Sequence, residues 1–188
     1  MIDFEKLNEN INAINEVLKD LETETKAIRK NVDCKKSEAF GIMFNDVLKY
    51  FRLIRKAYDG KIPSFGITVV FNDGHQIRIA NDWHCGTYEY CLKVREDCYD
   101  DWFPIYIYER RLDEGYDESI FESLNRSPKS VQWLVDTVSI NWNEYKGRIE
   151  NAVATHVNGV ITERSKKMHR EYEYIINEAE KLGLENRF

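Results

Sequence analysis

The sequence predicts an α+β fold: an antiparallel four-stranded meander over about residues 65–108, packed on helices and flanked by a long N-terminal heptad helix and long C-terminal helices. Three observations predict it. Asp73-Gly74 stands between the β-branched run Gly66–Phe71 and the alternating run Gln76–Ile79, a strong hairpin signal because glycine takes positive φ at little steric cost. Before and after that region, apolar residues recur every three or four positions, the period of a helix face. Helical and strand patterns segregate rather than alternate, which separates α+β from α/β.

The elements follow in order. Phe4, Leu7, Ile11, Ile14, Leu18, Leu21, Thr25, Ile28 and Val32 alternate spacings of three and four without a miss. That is a heptad seam over residues 1–32, with one polar position at Thr25. A stripe this narrow and this long calls for a partner helix, in this chain or in a second copy. A second helix is expected from about Ser37 to Asp59, because Phe40, Phe44, Val47, Phe51, Ile54 and Tyr58 share one face. Gly60 and Pro63 stop it.

The first two strands are those either side of Asp73-Gly74. Tyr88, Tyr90, Leu92 and Val94 then alternate with polar residues along a third strand. Phe103–Tyr108 supplies a fourth, whose Pro104 suits an edge or a strand start. Arg110–Tyr116 reads as loop, and Asp117–Leu124 as a short helix with acids in its first turn. Ser127-Pro128 reads as a helix start. From there Val131, Val135, Val138, Trp142, Tyr145, Ile149 and Ala152 form one seam. Ile161, Ser165, Met168, Tyr172, Ile175, Ala179 and Leu182 form another. The spacing predicts a turn or kink at Gly159 between two helices, or one helix with a register change. The 188 residues are read as a single domain, in which residues 1–32 and 128–183 form a bundle or stalk on a 37–125 head.

Composition bounds the function. Hydrophobic residues make up 43% and charged residues 32%, a balance that folds rather than stays disordered. No apolar run reaches membrane-spanning length. The opening Met1-Ile2-Asp3-Phe4-Glu5 lacks the pattern of a signal peptide. With that opening, Cys34, Cys85, Cys91 and Cys98 are expected as free thiols in a cytoplasmic protein. No phosphate-binding P-loop, dinucleotide fingerprint, HExxH, GxSxG or CxxC is present. Neither a cofactor nor a metal is expected.

Charge is the most uneven feature. The chain carries a net −6, yet residues 96–122 hold ten acids against Arg110 and Arg111, a local net of −8. Seven aromatics are interleaved with them: Tyr99, Trp102, Phe103, Tyr106, Tyr108, Tyr116 and Phe121. Acid beside aromatic is what a surface needs to bind a basic groove: carboxylates pair with Lys and Arg, while rings anchor the centre. The competing assignment puts the rings in the sheet core and the acids on a solvated rim.

On the first reading the chain is a non-enzymatic interaction protein. Asp97, Asp100, Asp101, Trp102, Asp113, Glu114, Tyr116, Asp117 and Glu118 would bind a basic partner, for instance as a phage-type inhibitor of a nucleic-acid-binding enzyme. A homo-oligomer through the heptad helices is expected, and the acidic composition argues against direct nucleic-acid binding. One alternative is a small metal- or thiol-dependent hydrolase using the Asp82–Cys85 loop with His75, since His and Cys suit zinc and a Cys near a His is a nucleophile. Another is a structural oligomer subunit. A pocket gathering His75, His84 and Cys85 would favour the enzyme, a contiguous acidic surface the basic partner, and a long exposed heptad seam assembly.

Overall fold

The computed structural model describes residues 4–59, 62–84, 87–124 and 127–182. Helix α1 (Phe4–Tyr58) leads into strands β1 (Phe65–Val70), β2 (Gln76–His84), β3 (Thr87–Arg95) and β4 (Phe103–Ile107). Three short helices follow, α2 (Glu109–Glu114), α3 (Glu118–Ser123) and α4 (Lys129–Trp133). A π-helical turn (Leu134–Val138) then precedes the long helix α5 (Trp142–Lys181).

The strands form one sheet in the order β1-β2-β3-β4, every neighbour antiparallel. This is the expected meander, and its register follows the apolar pattern. Ile67, Ile79, Leu92 and Ile105 line up as one row across all four strands, and Val69, Ile77, Val94 and Phe103 as the next. A one-residue slip would turn both rows away from the core. Gly74 takes φ +91° in the β1–β2 turn, as its place after Asp73 requires. Pro104 lies on the edge strand β4, where its missing N–H costs no central ladder bond.

Phe40, Phe44, Val47, Phe51 and Ile54 of α1 are all buried in the core that faces this sheet. The helix does not begin anew at Ser37; it runs unbroken for 55 residues, about 80 Å. No proline or glycine interrupts it before Gly41. The Ser37 hydroxyl, at the expected start of a second helix, shares a hydrogen bond of 3.0 Å with the Tyr116 hydroxyl.

The C-terminal helices break earlier than the sequence suggests. Helix α5 passes through Gly159 without interruption, as the one-helix alternative has it. The break falls instead at the π-helical turn and Asn141, whose side chain donates to the Thr137 carbonyl at 2.9 Å. Helix α4 starts one residue later than read, with Pro128 at its N-cap. Most of the Arg110–Tyr116 stretch read as loop belongs to α2 (Glu109–Glu114), a six-residue helix whose one buried side chain is Leu112.

Helices α1 and α5 run in the same direction where they touch. The Asp46 carboxylate accepts from Trp142 Nε1 and Lys146 Nζ, each at 2.9 Å. Further along, Tyr50 donates to Glu150 at 3.2 Å, and Asp59 meets Arg164 at 2.8 Å. Partner numbers rise together on both helices, so the pair is parallel. The N-terminal part of α1 therefore leaves the head at one end and the C-terminal part of α5 at the other.

Candidate interaction surfaces

The first surface is the N-terminal arm. From Asn8 to Lys35 every residue of α1 is exposed. Ile11, Ile14, Leu18, Leu21, Ile28 and Val32 keep between 44% and 59% of their surface accessible. The head covers none of this stripe. Phe4 and Leu7, at its start, have side chains outside the described residues. An amphipathic helix without cover is marginal in water. The C-terminal arm repeats the pattern, with Ile161, Met168, Tyr172, Ile175 and Leu182 exposed.

The second surface is acidic, and β4 divides it. Asp97, Asp100 and Asp101 lie in the β3–β4 loop and are exposed. Asp113 and Glu114 are exposed on α2, at the other end of β4. Five strand residues, about 15 Å, separate the groups. The β3–β4 loop is well braced. Asp97 accepts from the Tyr99 N–H at 2.6 Å, and Asp100 accepts from the Asp97 N–H at 3.2 Å. Arg95 donates to the Cys98 carbonyl at 3.1 Å while its guanidinium sits 4.3 Å from the Trp102 ring centre. Trp102 is thus half-buried beneath an arginine rather than a free anchor. The most exposed aromatic of the block is Tyr99, 94% exposed at the tip. Sequence reasoning counted Tyr99 among the aromatics without singling it out. Its place between two aspartates in a segment lacking strand alternation was the available signal.

Tyr116 and Asp117 are tied to the fold. Tyr116 packs its ring 5.9 Å from Phe40 and 6.1 Å from Phe44, and burial raises its pKa. Asp117 caps α3, accepting from the Ser119 N–H at 2.8 Å. That bond, with the Ser119 and Arg111 side chains, holds its pKa down to about 2. Glu118 follows it, exposed, in the first turn of α3.

The Asp82–Cys85 stretch read as a loop is strand as far as His84, the last residue of β2, and it does not gather the residues proposed for chemistry. His75 precedes the nine-residue strand β2 and His84 ends it, roughly 30 Å apart. Cys85 and the His84 side chain lie outside the described residues. Asp82 pairs with Lys93. His75 stacks on Trp133 with ring centres 4.2 Å apart, and Asp73 binds both, accepting from Trp133 Nε1 at 3.1 Å. This clamp pins the β1–β2 turn to α4. Cys34, Cys91 and Cys98 are free thiols. Burial, above all, pushes the Cys91 thiol up to about 11, which leaves it protonated and unreactive at neutral pH. Among the described residues no cluster of three or more His, Cys, Asp or Glu is placed to hold a metal ion, and no helix is long and apolar enough to cross a membrane. Comparison of the chain with protein families, with curated proteins and with solved structures gives no match.

Proposed function

We propose that the chain is an assembly subunit: an α+β head carried between two helical arms, which joins further copies through the heptad faces of those arms. The observation that carries this reading is the exposed seam from Ile11 to Val32, which the head leaves uncovered along its whole length. Covering each Leu or Ile of that seam is worth roughly 1–2 kcal/mol, because about half of each side chain is still open to water.

Leu18→Asp tests it. Residue 18 is exposed, so the charge disturbs only a contact between chains. The wild type is expected to sediment as an oligomer and the variant as a monomer, with the melting of the head unchanged. A wild type that is monomeric at ~100 µM, a concentration at which an association of this size would be populated, ends the proposal.

The acidic loop supports a second reading, a basic protein partner such as a nucleic-acid-binding enzyme. Its specific support is Tyr99, presented on a braced loop beside exposed carboxylates. Such a site speeds association through its charge and slows dissociation through its ring. The experiment compares proteins captured from lysate by the wild type, by Tyr99→Ala with Asp101→Asn, and by Asp113→Asn with Glu114→Gln. A basic protein released by ~0.5 M salt, where screening shortens to a few ångströms, and lost in the first variant alone would place the site at the loop. Equal capture by all three chains would remove this reading.

A further inference from the structure

We infer that the N-terminal arm of one copy docks, parallel and in a single register, on the C-terminal arm of another, so that the copies join head to tail. The inference rests on the assembly reading and names the pairing within it.

Both arms carry seams of the same period. On the N-terminal arm the a positions are Ile11, Leu18, Thr25 and Val32, and the d positions Ile14, Leu21 and Ile28. On the C-terminal arm the a positions are Ser165, Tyr172 and Ala179, and the d positions Ile161, Met168, Ile175 and Leu182. In a parallel pair, the g residue before each a faces the e residue four places after the aligned a of its partner, and these contacts select partner and register.

Aligning Leu18 with Ser165 makes all three such contacts on one flank opposite in sign. Arg164 meets Glu22, Glu171 meets Arg29, and Glu178 meets Lys36. The same alignment sets large against small, Leu18 on Ser165 and Val32 on Ala179, and stacks Ile28 on Ile175 and Ile14 on Ile161. A parallel pair of N-terminal arms gives one such contact type, Glu24 with Arg29. A pair of C-terminal arms gives none. Within the chain Arg164 donates to the Ala57 carbonyl and pairs with Asp59, Lys36 pairs with Asp136, Glu171 with Lys167 and Glu178 with Lys181. Ion pairs a third or more open to water are worth so little that exchanging them costs little.

The fold delivers this geometry. The arms leave opposite ends of the head and point the same way along the chain, so a displacement along the helix axis, offset sideways so that successive α1 helices lie beside one another rather than overlap, lays one upon the other. The Tyr50–Glu150 hydrogen bond fixes the relative level of the two helices. With it, the alignment implies a repeat of about 70 Å at 1.5 Å per helical residue. A contact between two different surfaces propagates from copy to copy, as a filament unless the rotation between copies closes it into a ring.

Directed cross-linking tests the pairing, on a background with Cys34, Cys85 and Cys98 changed to Ser and the buried Cys91 kept. Ile28→Cys and Ile175→Cys chains of different tag length are oxidised separately and mixed. Disulfide dimers holding one chain of each kind are expected in the mixture, few in either chain alone, and a ladder from the double variant. Self-cross-linking of the Ile28→Cys chain to the same extent as the mixture overturns the head-to-tail pairing while leaving self-association standing. No cross-link, with monomeric mass, overturns both. Charge reversal gives an independent check. Arg29→Glu should weaken association roughly fivefold, the effect of turning one exposed ion pair into a repulsion, and adding Glu171→Arg should restore it. Rescue by Glu24→Arg instead of Glu171→Arg would also overturn the inference.

Discussion

Phe51→Ala is expected to cost about 3–5 kcal/mol of stability, the range for removing a fully buried aromatic side chain. Phe51 is 0% exposed, and its ring lies 5.2 Å from that of Tyr90 across the helix–sheet boundary. It belongs to the stripe with which α1 covers the sheet, two turns before the helix ends at Tyr58. The truncation removes apolar area, leaves a cavity between α1 and β3, and deprives Tyr90 of a tilted ring contact. At roughly 2–4 °C per kcal/mol for a chain of this size, the melting temperature of the head should fall by ~10–15 °C. Calorimetry on the Leu18→Asp background, if that variant is monomeric as expected, separates this loss from the effect of association. A fall of under about 3 °C would mean that α1 does not seal the sheet here. Phe51→Leu keeps most of the volume and should recover more than half of the loss.

The face bearing Phe51 was legible in the sequence because a helix repeats its core contacts every three or four residues whatever it packs against. The meander was legible for a similarly local reason: Asp73-Gly74 fixes the first turn, and alternation fixes which side of β3 is buried. What failed depends on contacts distant in sequence. Ser37 looks like a helix start until Tyr116 is brought to it. Tyr116 looks like an interface anchor until Gly41 makes room for its ring: a Cβ at Gly41 would lie 2.8 Å from the ring's Cδ1. That glycine, alone within a stripe of large apolar residues, was a signal for an incoming ring. The acidic block reads as one patch along the chain and becomes two in space, because β4 carries its second half to the other end of the edge strand. The heptad seams were legible residue by residue. Their exposure was not, since it follows from the parallel packing of α1 and α5 that sends the arms apart. Helix α2 escaped notice because a short charged run with one buried leucine has no period to detect.

That parallel packing is held by a charge, which makes it sensitive to acid. Asp46 is 8% exposed and accepts hydrogen bonds from Lys49 on its own helix and from Trp142 and Lys146 on α5. Desolvation of the carboxylate acts to raise its pKa, but the three hydrogen bonds outweigh it and bring the pKa from 3.8 down to about 2. The same contact raises the pKa of Lys146. A carboxyl group whose pKa is lower in the folded state stabilises the fold above its unfolded value. That stability is lost as pH falls through the interval between the two. For Asp46 the window runs from near 3.8 down to about 2, and the stabilisation above it is on the order of 2 kcal/mol. Asp46→Ala should therefore cost about 2–3 kcal/mol at pH 6, leaving the Trp142 N–H and two ammonium groups without their acceptor. Near pH 2 the carboxyl of the unfolded chain is almost fully protonated and that of the folded chain about half so, which removes most of the linkage stabilisation, so the gap between the two proteins should narrow markedly. Urea unfolding of both at pH 6, 4 and 2.5 measures this. A gap that stays constant over that range would show that the carboxylate's charge does not hold α5 to α1, and would leave the apolar contacts around Trp142 to set the direction of the two arms.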